Sequence, residues 1–167
     1  HEFFENECKN LKFQLPNEGN YGIGVFFMPQ DNQIVEKLTK IIEETCSSEK
    51  IEILGWRDVP TDNSCLSLDR DIKKAEPVHF QLFIKKSDDL SQDEFERKLY
   101  VLRKCISNDV INQIGDIEDF YPVSLSSRTI VYKGMFLADQ LAKYYPDLSY
   151  QRVKSADVEY LPYCRWI

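Results

Sequence analysis

Apolar residues repeat along this chain with two periods, and each period predicts one kind of element. A repeat near 3.6 residues predicts amphipathic helices, whereas short β-branched and aromatic runs bounded by turn residues predict strands. The predicted order is a helix tail at 1–10, a strand at 21–29, a helix at 31–50, a strand at 50–56, a long polar loop at 57–77, a strand at 77–86, a helix at 91–106, strands at 119–127 and 128–134, a helix at 135–148 and a last strand at 158–167.

The two longest predicted helices carry start signals of their own. Asp31 precedes an apolar stripe that begins at Ile34, and its carboxylate can cap the first turn. Ser91 and Glu94 have the spacing of a capping box. These signals predict helices that begin at 31 and 91.

The strand predicted at 77–86 places Val78, Phe80, Leu82 and Ile84 on one face. Helices and strands mix along the chain, and neighbouring strands favour antiparallel pairing. The pattern therefore predicts a layered α+β fold rather than a doubly wound parallel sheet, with one domain over 1–167.

Composition narrows the class of protein. The 167 residues are 43% hydrophobic and 29% charged, which is too apolar for a disordered chain. The net charge is −7, from 28 acidic and 21 basic residues, and a phosphate backbone would be repelled. No apolar run approaches the length of a membrane-spanning helix. We expect no nucleic-acid partner and no membrane partner.

The cysteines predict a reducing compartment. They number five, stand at 8, 46, 65, 105 and 164, and include no C-x-x-C pair. The odd number of cysteines and the wide spacing between them argue against a disulfide scaffold and a zinc knuckle. We expect reduced thiols inside a cell, in the cytoplasm or a plastid, and no metal site.

The two ends suggest a longer polypeptide. The chain opens on His1 without an initiator methionine and stops on the strand-like "YCRWI". A segment taken from the interior of a protein fits this pattern, and so does a short domain with trimmed ends.

The residues alone supply no self-sufficient active site. His79 is expected to face away from Phe80 without a relay partner, and no P-loop, H-E-x-x-H or G-x-S-x-G motif occurs. Gly22-x-Gly24 lies inside a strand and lacks the third glycine of a dinucleotide fingerprint. The aspartates of the 57–77 loop match no metal-ligand spacing, so we interpret the loop as solvated; they are Asp58, Asp62, Asp69 and Asp71.

Five segments together resemble one family. "YGIGVFFMPQ", "GWRDVPTDNS", "FERKLYVLRK", "SLSSRTIVYKGM" and "QLAKYYPDL", in this order, are similar to the N-terminal glutamine amidotransferase domain of glutamate synthase. The similarity covers nearly the whole chain, and even "HEFF" resembles the family's "PHxFF".

The resemblance implies an N-terminal nucleophile hydrolase fold, with two antiparallel sheets packed face to face and helices outside. Here that four-layer αββα sandwich would be incomplete at both ends. An N-terminal cysteine thiolate would attack the glutamine amide, releasing ammonia and leaving a glutamyl thioester. The ammonia would react with 2-oxoglutarate at a second site. FMN, an iron–sulfur cluster and NAD(P)H or ferredoxin are implied for the parent enzyme, and no cofactor for this chain.

The resemblance places no catalytic residue in this chain. The family's nucleophile would precede His1, and Cys8 stands in the wrong motif. Arg165, in "PYCRWI", matches the arginine that holds the α-carboxylate of glutamine, whereas Tyr163 and Cys164 replace the family's histidine and serine. A structural arginine at a strand end is the alternative for Arg165. We expect the chain by itself to be inactive.

Three functions remain open. The first is part of a glutamate synthase glutaminase domain, with glutamine and the remaining domains of the parent as partners. The second is a non-catalytic binding or regulatory module on the same scaffold, and the third is another class II amidotransferase. An incomplete sandwich exposes strand edges, so we expect the isolated chain to self-associate or to be marginally stable.

Overall fold

A computed structural model describes residues 1–66, 76–134 and 140–149. Within these residues, four strands form one sheet in the order β2-β3-β1-β4, and every pairing is antiparallel. The strands are β1 Tyr21–Met28, β2 Ile53–Asp58, β3 Val78–Lys85 and β4 Tyr121–Ser126. The helices are α1 Glu2–Asn10, α2 Asn32–Ser48, α3 Gln92–Ile114 and α4 Leu141–Tyr144, with 3-10 helices at Asn63–Cys65 and Pro146–Ser149. The predicted α+β class with antiparallel strands is confirmed.

The main core lies between one face of the sheet and the helices α2 and α3. Phe26, Leu82 and Ile84 project from the sheet and are fully buried. The helices contribute apolar stripes at helical spacing, namely Leu38, Ile41, Ile42 and Cys46 from α2 and Phe95, Leu99, Leu102, Ile106 and Val110 from α3. Burial of these stripes fixes both helices on the same side of the sheet.

Both predicted helix starts are confirmed. The Asp31 carboxylate accepts hydrogen bonds from the backbone N–H groups of Gln33 and Ile34. Ser91 and Glu94 form the reciprocal capping box. Helix α3 continues well past the predicted end at 106, because Val110 extends its buried stripe, and it stops at Gly115, whose φ of +87° favours glycine.

The opposite face of the sheet is covered by irregular segments and by α1. Phe3, Phe4 and Cys8 of α1 pack on Ile23 and Phe83 of the sheet. Ile130 adds to this cluster, and Tyr132 and Leu141 pack beside Val59, Tyr144 and Tyr145 in a neighbouring one. The described residues form one sheet, so the second sheet implied by the resemblance stays a prediction.

The strand predicted at 128–134 is wrong. Residues 128–134 form no strand, although β-branched and aromatic residues fill Thr129–Tyr132. The Ser126 hydroxyl accepts hydrogen bonds from the backbone N–H groups of Arg128 and Thr129, which ends β4 in a turn. Ile130 and Tyr132 are partly buried against the sheet face without pairing with β4, and Val131 stays exposed.

Two other boundaries differ from the prediction. Strand β2 includes Arg57 and Asp58, so the polar loop begins later than position 57. Among the described residues of 135–148, only Leu141–Tyr144 is α-helical, and the chain continues as a 3-10 helix from Pro146, which cannot donate to a continuing α-helix. The strand predicted at 158–167 lies outside the described residues.

Candidate functional site

A buried guanidinium occupies the sheet face opposite α2 and α3. Arg57 on β2 is 3% exposed and pairs with Asp147, which is 1% exposed. Its Nη1 and Nη2 donate to the two carboxylate oxygens of Asp147 at 2.7 and 2.8 Å, a bidentate geometry. Its Nε and Nη2 donate to Glu7 Oε2 at 3.0 and 2.8 Å. Arg57 thereby joins α1, the sheet and the 3-10 helix at Pro146–Ser149.

Two neutral side chains complete this network. Arg57 Nη1 also donates to Gln81 Oε1 at 3.0 Å. The Gln81 amide donates to the Tyr132 hydroxyl, which donates in turn to Asp147 Oδ2 at 2.8 Å. We call the five residues Glu7, Arg57, Gln81, Tyr132 and Asp147 the Arg57 clip.

Arg57 has no donor left for a ligand. Arginine carries five N–H groups, and all five of those on Arg57 are used within the clip. Burial alone would lower the Arg57 pKa, but hydrogen bonds and charge from Asp147 and Glu7 outweigh it, so the pKa is raised and the guanidinium stays charged. Burial, with the charge of Asp147, raises the pKa of Tyr132, which therefore remains a hydroxyl donor. A substrate carboxylate could reach Arg57 only by displacing Glu7, Gln81 or Asp147.

His79 lies in an aromatic cage on the same face. Its ring makes edge contacts with Phe27, Tyr144 and Tyr145, at centroid distances of 4.8, 5.8 and 5.3 Å. Within the described part of the chain its Nδ1 has no hydrogen-bond partner, and burial lowers its pKa to about 4. A general base needs a pKa near the working pH, so His79 is a neutral packing residue, in line with its prediction as a residue without a relay.

The described thiols are not arranged as nucleophiles. Cys8 lies in the α1 cluster and Cys46 in the main core, and burial raises the pKa of each to about 12. A thiol needs a lowered pKa or an adjacent base to attack an amide. Cys65 is half-buried, with its Sγ 3.4 Å from the Asp62 carbonyl oxygen, and Cys105 is half-buried on α3.

The stretch "SSRT" serves the scaffold. Glu96 of α3 accepts hydrogen bonds from the Ser126 hydroxyl and from both the backbone N–H and the hydroxyl of Ser127. Gln92 donates to the Ser127 hydroxyl at 2.8 Å, and Arg128 pairs with Asp93 on the surface. These contacts tie the end of β4 to the first turns of α3 and leave no hydroxyl poised for catalysis among them.

The described residues of the 57–77 loop fit the interpretation of a solvated loop. Asp62 caps the 3-10 helix by accepting from the Ser64 N–H, and Asp58 ends β2. No three His, Cys, Asp or Glu side chains group as a metal site within 1–66, 76–134 and 140–149. An open cleft of about 710 Å³ lies between Asn63–Cys65 and the 140–149 segment, lined by residues including Asp62, Cys65, Gln140 and Lys143.

Sequence reasoning placed Arg57 in the loop and missed the clip. The signal was a lone cation directly after the apolar run of β2, but its partners lie 50 and 90 residues away along the chain. The predicted substrate-binding residue Arg165 lies outside the described residues, as do Asp69 and Asp71. None of the described helices is long and apolar enough to cross a membrane.

Comparison with known proteins identifies the family to which this scaffold belongs. The profile of the family "Glutamine amidotransferases class-II" matches residues 1–159. The chain is 39% identical over 92% of its length to the glutamate synthase [NADPH] large chain of Bacillus subtilis. It is 37% identical over 90% of its length to a chloroplastic ferredoxin-dependent glutamate synthase of Oryza sativa, and 36% identical over 93% to the glutamate synthase [NADH] of Saccharomyces cerevisiae.

The chain spans 10%, 9% and 7% of the length of these three relatives. The profile match extends over nearly all of the sequence, including α1, the sheet and the Arg57 clip. The chain belongs to the class II glutamine amidotransferase family, whose members are N-terminal nucleophile hydrolases.

Proposed function

We propose that the chain is part of the glutaminase domain of a glutamate synthase, which releases ammonia from glutamine for the reductive amination of 2-oxoglutarate to glutamate. One observation carries the proposal: identity of 36–39% to three glutamate synthases over 90–93% of the chain. Glutamine is then the substrate, and the remaining domains of the parent synthase are the partners.

The described residues supply the scaffold of that domain. Every N–H group of the Arg57 guanidinium has an acceptor inside the clip, and the described thiols lack an activating base. We propose that FMN, the iron–sulfur cluster and the electron donor bind elsewhere in the parent. The relatives are named for NADPH, ferredoxin and NADH, so the donor is one of these classes. The proposed compartment is intracellular, either the cytoplasm or a plastid.

The direct test uses the natural gene product that contains this chain. It is incubated with glutamine, isotope-labelled 2-oxoglutarate and each of the three donors in turn, and ammonia, unlabelled glutamate and labelled glutamate are measured. Hydrolysis of glutamine yields ammonia and unlabelled glutamate, so only labelled glutamate reports the reductive amination. We expect labelled glutamate with one donor and ammonia release from glutamine. Hydrolysis of glutamine without labelled glutamate would indicate another class II amidotransferase, and neither product would indicate a binding module on this scaffold.

Arg165 is proposed to bind the α-carboxylate of glutamine, through a charge-assisted pair that contributes about 1.5–3 kcal/mol. Arg165→Ala in the natural product should therefore raise KM for glutamine by roughly 10-fold or more. Activity measured with ammonia in place of glutamine should stay unchanged, since the second site is intact. A KM equal to that of the wild type would contradict the assignment.

The chain by itself is proposed to be inactive. Purified 1–167 with saturating glutamine should release no ammonia above a blank. In the natural product, Cys65→Ala and Cys105→Ala should keep the glutaminase rate, because neither thiol has a base partner in the structure. Steady ammonia release from the chain, or loss of activity in either variant, would refute the proposal.

A further inference from the structure

The outward surface of α3 differs from that of its neighbour α2. On α2 the exposed positions of the outer face are Glu36, Lys37, Lys40, Glu43, Glu44 and Ser47, and Lys40 pairs with Glu44 in the same helix. This composition is typical of a helix face that meets water. On α3, Tyr100, Val101 and Ile111 are 58%, 49% and 55% exposed. They are the most exposed of the large hydrophobic side chains in the described residues.

These three residues share one stripe. Arg97, Tyr100, Val101, Lys104, Asn108 and Ile111 follow each other at helical spacing and are all exposed. The stripe lies opposite the buried one that contains Leu99, Leu102 and Ile106, because the two sets differ by half a turn. Helix α3 therefore carries large apolar side chains on two opposite faces, and only one of these faces is covered by the sheet.

The stripe is preorganised for a partner. The Arg103 guanidinium lies 5.9 Å from the centroid of the Tyr100 ring, and its Nη1 donates to the Val123 carbonyl oxygen on β4. Rigid aromatic side chains dock at a low cost in conformational entropy. At the other end, Lys104 and Ile111 line a cavity of about 240 Å³ together with Phe120 and Tyr121. That volume is below the usual range for small-molecule sites and suits one inserted side chain.

The charge on the stripe selects the kind of partner. Arg97 and Lys104 form no ion pair within residues 1–66, 76–134 and 140–149, although the whole chain carries −7. A second copy packed antiparallel on the same stripe would bring Lys104 against Lys104, and like charges at an interface disfavour association. An acidic surface with apolar side chains complements the stripe.

We propose that the outward face of α3, from Arg97 to Ile111, docks an acidic protein surface of the parent polypeptide that lies outside this chain. The inference rests on the proposed function. It fits relatives of which this chain spans 7–10%, since a tethered partner is held at a high effective concentration and needs only a small contact area.

The test is lysine footprinting of the natural gene product. The protein reacts with an amine-selective acylating reagent, and mass spectrometry follows Lys104 and, as matched controls on α2, Lys37 and Lys40. If docking covers Lys104 about nine-tenths of the time, its labelling rate falls about 10-fold below those of the controls. In the variant Arg97→Glu/Tyr100→Ser/Val101→Ser, Lys104 should approach the control rates while Lys37 and Lys40 stay unchanged.

Three results would overturn the proposal. The first is Lys104 labelling as fast as Lys40 in the wild-type protein. The second is protection that grows with protein concentration, which indicates a second copy. The third is protection lost on nuclease treatment, which indicates nucleic acid. Glutamate synthesis by the same preparation is measured separately, so a synthase with an unprotected Lys104 refutes the docking surface alone.

Discussion

Replacing Arg57 by methionine removes the one cation of the Arg57 clip while keeping a chain of similar length. Asp147 is 1% exposed, so its charge would stay buried with Tyr132 as its remaining donor. Breaking a buried ion pair from one side costs about 3–5 kcal/mol, because the remaining charge has lost its solvent and its partner. Glu7 is 33% exposed and is rehydrated more easily, so we assign most of the loss to Asp147.

The assay is urea unfolding of the chain at pH 7, followed by tryptophan fluorescence. A loss of about 3–5 kcal/mol is comparable to the whole stability of many domains, so an osmolyte such as trimethylamine oxide is added to keep the variants folded. The cycle includes Asp147→Leu and the double variant Arg57→Met/Asp147→Leu. The double variant should lose less free energy of unfolding than the two single variants lose together, because it leaves neither charge of the Arg57–Asp147 pair without the other.

Arg128→Met is the matched control. Arg128 pairs with Asp93 on the surface, where the two side chains are 53% and 71% exposed, and such pairs contribute about 0–1 kcal/mol. The reasoning is refuted if Arg57→Met costs no more than Arg128→Met, or if the two clip substitutions add without coupling.

Three further predictions concern other parts of the fold. His79 has a pKa of about 4 when folded against 6.5 ordinarily, so the unfolded chain binds more protons between these values. Stability should fall as pH drops from 6.5 to 4, by about 3 kcal/mol more than in His79→Phe, measured by urea unfolding across that range; equal pH profiles would contradict the buried neutral ring. Gly22→Ala would bring a Cβ to 2.6 Å from Leu99 Cδ1, so it should cost about 1–3 kcal/mol, and an unchanged Tm would show that the core yields freely. Ser91→Ala removes the hydroxyl that accepts from the Glu94 N–H and should cost about 1 kcal/mol, with Ser47→Ala, an exposed serine on α2, as the comparison; no loss in calorimetry would mean that the cap contributes nothing.

Local sequence signals were sufficient to predict the helix starts and the buried faces of α2 and α3. The helix starts at Asp31 and Ser91 depend on atoms within three residues of each other, so a short pattern contains the whole cause. The stripes of α2 and α3 depend only on helical periodicity, and burial followed the pattern. The family resemblance likewise came from long continuous segments such as "GWRDVPTDNS".

The segment Thr129–Tyr132 shows where local signals failed. Its composition is that of a strand, but strand formation needs a partner edge, and the Ser126 hydroxyl turns the chain away from β4. Tyr132 instead donates to Asp147, fifteen residues further along the chain, a contact that no local pattern encodes. β-propensity measures how well a side chain fits a half-buried surface. The side chains of Ile130 and Tyr132 meet such a surface without the segment forming a strand.

The sequence by itself determined the periodic elements, their caps and the family, because each depends on neighbouring residues or on long matched strings. The tertiary structure alone decided that Arg57 is a buried tie rather than part of a solvated loop, that His79 is a neutral packing residue, and that α3 has a second apolar stripe on its outer side. Each of these depends on burial and on partners brought together from distant positions. Whether a charge lies in water or in a low-dielectric interior sets its pKa and its contribution to stability, and only the folded chain fixes that environment.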